Sequence, residues 1–600
     1  MTAPPGDGRS PTVSAGAGAV DAGLAGGAGG IDRLRSLVAI ALDGLAAGTS
    51  ARGGPLPPGG PAGVSRWVHD VLEGQRRHDH VSFTAGVPAG SGVPPRSPES
   101  IREVREAQVP GALGGRSGRP PDQELSDQAA GPPGVPSAES SRELPAQGPW
   151  ALPPEGVGTH AALSGLTRML AQGAADPADP ACAAHLHCPP LAVAVAADLV
   201  VSALNPSLDS WDQAPAATAM ETEVVAALAG LVGFDPVAAS GAITTGGTAS
   251  NLTALMLARD NLSALTTAAP AAGLPGRPAV RVFCSSAAHF SIGRAAAVLG
   301  LGPDAVVPVA TDGTHRLDPS SLEVAILRAR RSADRAGRRF APVVVATAGT
   351  TDIGAFDPLR AVTEVARAHG AWVHVDAAYG GGALLSDRLA PLLDGIAEAD
   401  SVALDLHKLG WQPIAAGVLL TRDAGRWATL EHEVAYLNAT DDALAGYPSL
   451  LGRSLRTSRR ADAFKIAVTF RALGRHGLGR LVDACHDLAC HAATRISSHP
   501  RLELAAPVTL STVVFRYLPV ATATGTTAGT ATGTVDVDGI NARLRRRLLE
   551  SGRAVVGRTE FGPDRSVHLK LTLLNPDATA SDVDALLGAV VRAGDAEDRG

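Results

Sequence analysis

Between Gly241 and Arg422, seven short apolar runs alternate with segments of helical periodicity, and this alternation restricts the fold more than any other feature of the 600-residue chain. The runs are Ala242–Thr245, Val280–Ser285, Ala305–Val309, Pro342–Thr347, Ala371–Asp376, Ser401–Leu406 and Ala416–Thr421. Several are nearly continuous in Val, Ile, Leu and Ala, as strands buried on both faces must be. Helices fit Ser250–Asp260, Ile292–Leu299, Ser320–Ala336 and Leu359–His369 between them. The expectation is an α/β large domain built on a mostly parallel seven-stranded sheet. Ligands of such sheets sit beyond the carboxyl ends of the strands.

The rest of the chain divides around that core. Residues 1–30 are Gly/Ala/Pro-rich and are expected to be a disordered tail. Residues 31–84 carry short N-terminal helices, over Ile31–Ala47 and near Val64–Leu72. Residues 85–154 are rich in Pro, Gly and Ser and read as a linker or insertion. A helical segment of the catalytic unit spans 155–235, with helices at His160–Gln172, Leu191–Leu204 and Thr218–Leu231. The large domain covers 236–460, and 461–600 forms a small C-terminal α+β domain. In the small domain Ala521–Thr534 is a low-complexity stretch, expected to be a flexible loop.

Charge and cysteine usage exclude several classes. The net charge of −7 shows no basic footprint for nucleic acid. Five cysteines in an unpatterned set, with no signal-like start, predict reduced thiols and a cytoplasmic protein. No apolar run is long enough to predict a membrane span; Leu191–Leu204 is too short.

Four motifs fall at the predicted strand ends. Thr245-Gly246-Gly247-Thr248-Ala249-Ser250-Asn251 follows a strand and opens a helix, a geometry that suits a phosphate. It lacks the Gly-Lys-[Ser/Thr] of a Walker loop. His289 follows the next strand and can lie flat on a planar ligand. Asp376 ends the apolar run His374-Val375-Asp376, where a carboxylate calls for a cation or donors. Lys408 ends another run, after His407. The chain has 52 basic residues but only three lysines, so a Lys here asks for chemistry that Arg cannot perform. Each motif alone has a plain alternative: a capped turn, a loop His, a carboxylate satisfied by backbone, a solvated Lys. Together they supply a phosphate cradle, a ring-stacking group, an acid for a pyridinium and a Schiff-base amine. These are the needs of pyridoxal 5′-phosphate.

Gly246-Gly247-Thr248-Ala249-Ser250-Asn251, His289, Gly349-Thr350-Thr351, Asp376-Ala377-Ala378-Tyr379 and His407-Lys408 resemble the group II pyridoxal-phosphate-dependent amino-acid decarboxylases, of aspartate-aminotransferase-like (type I) fold. The resemblance runs from about Leu152 to Arg592 and leaves 1–150 uncovered. The segments Ser207–Gln213 and His407–Pro413 look closest to the branch acting on L-2,4-diaminobutyrate; the aromatic branch usually has Asn-Pro-His-Lys where Asp405-Leu406-His407-Lys408 stands here. The resemblance implies that Lys408 binds the cofactor covalently and Asp376 pairs with its pyridinium. His289 stacks on the ring. Thr248, Ala249 and Ser250 hold the phosphate with His407 nearby, and Thr351 and Ala378 line the cofactor. It further implies a homodimer, an amino-acid substrate, and a loop Tyr that protonates Cα, either Tyr447 or Tyr436. The segment His185-Leu186-His187-Cys188 lacks a partner pair at zinc spacing. No metal is expected, and the resemblance puts His185 or Cys188 at the substrate wall.

Three functions compete: a decarboxylase, another reaction on the same cofactor such as aldehyde synthesis or transamination, and a non-catalytic homologue. Lys570, where a transaminase would place an Arg, disfavours transamination. The presence of Lys408 and Asp376 disfavours an inactive homologue. Asp209 and Asp212 are candidates for a substrate's distal ammonium. The apolar helix Leu191–Leu204 suits either a subunit interface or the core.

Overall fold

The computed structural model describes residues 30–58, 60–72, 152–262, 279–431, 434, 436–520 and 536–599. The expected tail, nearly all of the linker and the loop Ala521–Thr534 lie outside them. Residues 1–64 with 154–600 make one compact unit and 65–153 another. In the second, the described residues are 65–72, the end of the helix Gly60–Leu72, and 152–153.

All seven apolar runs of the large domain form strands: β1 Ser240–Thr244, β2 Ala279–Ser285, β3 Val306–Val309, β4 Phe340–Thr347, β5 Trp372–Ala377, β6 Ser401–Asp405 and β7 Gly417–Thr421. Their order across the sheet is β1-β7-β6-β5-β4-β2-β3. Only β7 is antiparallel to its neighbours, β1 and β6. The central strands β5, β6 and β7 are buried along their whole length, which their continuous Val, Leu and Ala content requires. Helices Pro215–Val232, Pro319–Arg335 and Leu359–Ala368 contribute to one core cluster with the strands. Helix Gly247–Asn261 packs in another, across β7, β6 and β5.

The register fixes the functional ends. Thr347 pairs with Asp376, and Asp376 with Ala403. Gly417 faces both Thr244 and Asp405. A Cβ on Gly417 would lie 2.4 Å from the Gly246 Cα, so only Gly lets the loop after β1 approach the end of β6.

The small domain is a five-stranded sheet. Its strands β8 Leu502–Leu504, β9 Thr512–Tyr517, β10 Val555–Phe561 and β11 Ser566–Thr572 are joined by the two-residue strand Cys182–Ala183, in the order Cys182–Ala183, β10, β11, β9, β8. Sequence periodicity misses β10, because Gly557, Arg558 and Glu560 interrupt its apolar pattern. It also misses that a segment preceding the large sheet pairs here, Cys182 with Val555. Helical periodicity predicts two helices, Ala461–Leu473 and Leu481–Ser497; they run together as Ala463–Ser498, broken at Gly474 by a left-handed φ of 65°. Helix Ala192–Leu204 belongs to the core on one face only. Ala194, Ala197 and Val201 are buried, while Val195, Leu199, Val200 and Leu204 are exposed.

Two helices, Ile31–Arg52 and Pro215–Val232, have the length and apolar composition of a membrane span. The second buries Val224, Val225, Leu228 and Val232 in the core, and the first packs along Thr159–Gly173.

A buried ion pair braces β1 just before the Gly246-Gly247 turn. Arg459 Nη1 lies 2.6 Å from Glu221 Oε1 and 3.2 Å from the Ile243 carbonyl. Burial pushes the Glu221 carboxyl above its ordinary range, and Arg459 is the cation that opposes this. Arg459→Met leaves that carboxylate buried and unpaired, so it should cost about 3–5 kcal/mol in urea denaturation. The double variant Arg459→Met with Glu221→Leu should recover most of the loss. Equal losses in both would mean that the charge is not what the site tolerates poorly.

Candidate active site

The four motif loops meet in one cavity of about 390 Å³ at the carboxyl end of the sheet. Thr248 and Ala249 reach it from the start of helix Gly247–Asn261, and His289 from the turn after β2. Thr351 comes from the turn after β4, Asp376 and Ala378 from the end of β5, and His407 and Lys408 from the turn after β6. The volume is that of a small-ligand site. The amides of Gly247 and Thr248 precede the first intrahelical hydrogen bond and, with the helix dipole, favour an anion there.

Asp376 is buried at 5% exposure yet is not left unsatisfied. Its Oδ1 accepts from the Ala378 amide at 3.1 Å, and its Oδ2 from Asn251 Nδ2 at 2.8 Å. Asn251 also donates to Ser291 Oγ at 2.9 Å, and its Oδ1 pairs with His374 Nε2 at 2.9 Å. His374 Nδ1 meets Ser401 Oγ at 2.9 Å, and Trp372 Nε1 donates to that hydroxyl at 3.0 Å. Burial pushes His374 down to about 4, so at neutral pH it carries one proton. The partners then order the chain: Ser401 donates to Nδ1, and Nε2–H donates to Asn251. This leaves the Asn251 amide hydrogens for Asp376 and Ser291. Ser291 in turn meets His289 Nδ1 at 2.8 Å, and its backbone amide points at the same nitrogen at 3.3 Å. His289, lowered by burial, therefore carries its proton on Nε2.

The turn holding Lys408 is tied down from several sides. His407 Nδ1 accepts from the Ala416 amide at 3.3 Å. Trp411 Nε1 donates to the Leu574 carbonyl of the small domain at 2.9 Å, and Gln412 Nε2 to Thr469 Oγ1 at 3.0 Å. The small domain also grips two cavity walls. The Tyr379 hydroxyl lies 2.8 Å from Ser511 Oγ and 2.9 Å from Thr512 Oγ1, and Lys570 donates to the Thr351 carbonyl at 3.2 Å.

Seven sequence candidates stand elsewhere. Ser250 is fully buried and its hydroxyl is spent on Thr244 Oγ1 at 2.8 Å and the Val418 carbonyl at 3.2 Å, because the helix phase turns it toward the sheet. Cys188 lies behind the site. Its thiol, pushed up to about 12 by burial, donates to the His407 carbonyl at 3.2 Å. His185 is exposed and does not line the cavity. Tyr447 packs edge-to-face on Trp211 with centroids 5.0 Å apart, also off the cavity, and Tyr436 is 84% exposed. Asp209 and Asp212 do not line it either. Among the described residues no group of His, Cys, Asp and Glu could hold a metal ion.

The wall fits pyridoxal 5′-phosphate. It offers one primary amine, a buried carboxylate held as an acceptor, an imidazole and a helix N-terminus. Its buried Thr347 Oγ1 and Asp405 Oδ1 have no hydrogen-bond partner among the described residues.

Comparison with known proteins decides the family. Residues 145–518 match the model described as the pyridoxal-dependent decarboxylase conserved domain. The chain belongs to this family. The decarboxylase is 43% identical over 440 residues to the L-2,4-diaminobutyrate decarboxylase of Rhizobium meliloti (strain 1021), covering 73% of this chain and 83% of the relative. It is 33% identical over 447 residues to the protein of that name from Acinetobacter baumannii, covering 73% and 84%. Among solved structures it resembles mouse CSAD, with a TM-score of 0.67, 30% identity and coverage of 74% and 90%. The decarboxylase is thus a carboxy-lyase of type I fold that uses pyridoxal 5′-phosphate.

Asn251 is the site residue that sequence reasoning quoted without assigning a role. Asn251→Ala removes a buried donor to Asp376 and unpairs His374. A loss of about 1–3 kcal/mol should weaken cofactor binding roughly tenfold in a fluorescence titration. Unchanged affinity would show that Asp376 does not depend on that amide.

Proposed function

We propose that this decarboxylase converts an L-diamino acid, L-2,4-diaminobutyrate, to the corresponding amine and carbon dioxide. The observation that carries the chemistry is the convergence of Lys408, Asp376 and His289 on one cavity. The substrate rests on the names of the relatives at 43% and 33% identity. We propose further that it acts as a cytoplasmic homodimer. Five unpaired cysteines and the exposed apolar face of Ala192–Leu204 support that setting.

When bound, the cofactor supplies an electron sink for the charge left at Cα as carbon dioxide departs. Lys408 anchors it covalently. Asp376 would accept from the protonated ring nitrogen, in the orientation fixed by the Asn251 and Ala378 donors. His289 would flank the ring, and Thr248 with the helix N-terminus would receive the phosphate.

Carbon dioxide release from a panel of diamino, aromatic and acidic amino acids tests the substrate. The highest kcat/KM is expected for L-2,4-diaminobutyrate, and a preference for an aromatic or acidic substrate would overturn that assignment. Lys408→Ala should abolish both release and the visible absorbance of the bound cofactor. Asp376→Ala should weaken both cofactor binding and turnover; normal turnover would remove it from the ring nitrogen.

A further inference from the structure

Asp405 has no part in the roles above, yet it is the carboxylate nearest the reactive amine. It ends β6 three residues before Lys408, and its side chain is 3% exposed. Its Oδ2 lies 3.1 Å from Lys408 Nζ and 3.5 Å from His407 Nε2. Its Oδ1 is buried without a hydrogen-bond partner. Gly247 leaves room beside the carboxylate, since a Cβ there would come within 3.1 Å of Oδ2. His407 accepts from Ala416 on Nδ1, so a neutral ring carries its proton on Nε2, on the side of the same carboxylate. Asp376 faces the cavity from the neighbouring strand β5, and His289 from the turn after β2. Burying a carboxylate with an orphan oxygen is costly, and a neutral Asn of the same shape would avoid that cost. Such an Asn is what the Asn-Pro-His-Lys pattern of the aromatic branch carries. What Asp adds is a full negative charge beside Nζ.

We infer that Asp405 is a positioning residue that holds the Lys408 amine in place through their ion pair whenever Lys408 is not bonded to the cofactor. Were the substrate amine to take the place of Lys408 on the cofactor carbon, one carbon–nitrogen bond would form as that to Nζ broke, the hydrogens shed by the substrate nitrogen would pass to Nζ, and no oxidant or reductant would be needed. The freed amine would then meet Asp405, which lies 3.1 Å from Nζ in the structure. This rests on the assignment of Lys408 as the cofactor's anchor and is independent of which amino acid is the substrate.

The chain's three lysines make the test direct. The Lys465 side chain is 0% exposed and that of Lys570 11%, against 20% for Lys408. Cofactor-free full-length protein and its Asp405→Asn variant are treated at pH 7 with an amine-acylating reagent, and the Lys408 peptide is followed by mass spectrometry. Loss of that charge-assisted contact frees the amine from its partner, so Lys408 should label roughly tenfold faster or more in the variant. Equal or slower labelling overturns the proposal. Lys465 reports the fold: if it labels in Asp405→Asn, Asp405→Ser is read instead against the same two outcomes. No substrate enters the measurement, so failure of the diamino-acid assignment leaves it standing.

Discussion

A carboxylate buried at the end of a parallel strand is tolerable only with donors of its own, and the placement of Asp376 organises much of the surrounding structure. Its oxygens are met by the Ala378 amide and by Asn251, from a helix 125 positions earlier. Asn251 can serve only if its own carbonyl is paired, which His374 does, and His374 only if Ser401 and Trp372 complete its other side. The chain of donors thus runs across β5, β6 and the helix above them. Through Ser291 it also sets which nitrogen of His289 carries a proton. A polar network this buried is stabilising only when every member is satisfied, so one geometry of the site is selected.

The small domain enters the same site through three contacts. Trp411 binds Leu574 from the turn that holds Lys408, Tyr379 binds Ser511 and Thr512, and Lys570 binds the Thr351 carbonyl. The cavity walls and the small domain are therefore one mechanical unit. Lys570, where a transaminase would be expected to hold a substrate carboxylate, instead ties down a loop of the cofactor cavity.

The strands of the large domain were legible because strands buried on both faces need unbroken Val, Ile and Leu. The motif residues were legible because strand ends collect chemistry in this architecture. Strand Val555–Phe561 was hidden by its half-exposed, charged face. Ser250 was misplaced because a motif says which residues open a helix but not how the helix is rotated. Cys188 and Tyr447 were placed by resemblance with no geometric constraint, and the structure puts one behind His407 and the other on Trp211. Asn251 and Asp405 were in plain view, but their roles depend on partners from other strands and loops.

The central claim is that the amine of Lys408 carries the cofactor. Borohydride reduction of the holoenzyme followed by peptide mass spectrometry locates the bound pyridoxyl group among three possible lysines. The account predicts the group on the peptide containing Lys408 alone. Its recovery on Lys465 or Lys570, or on no lysine at all, would contradict it.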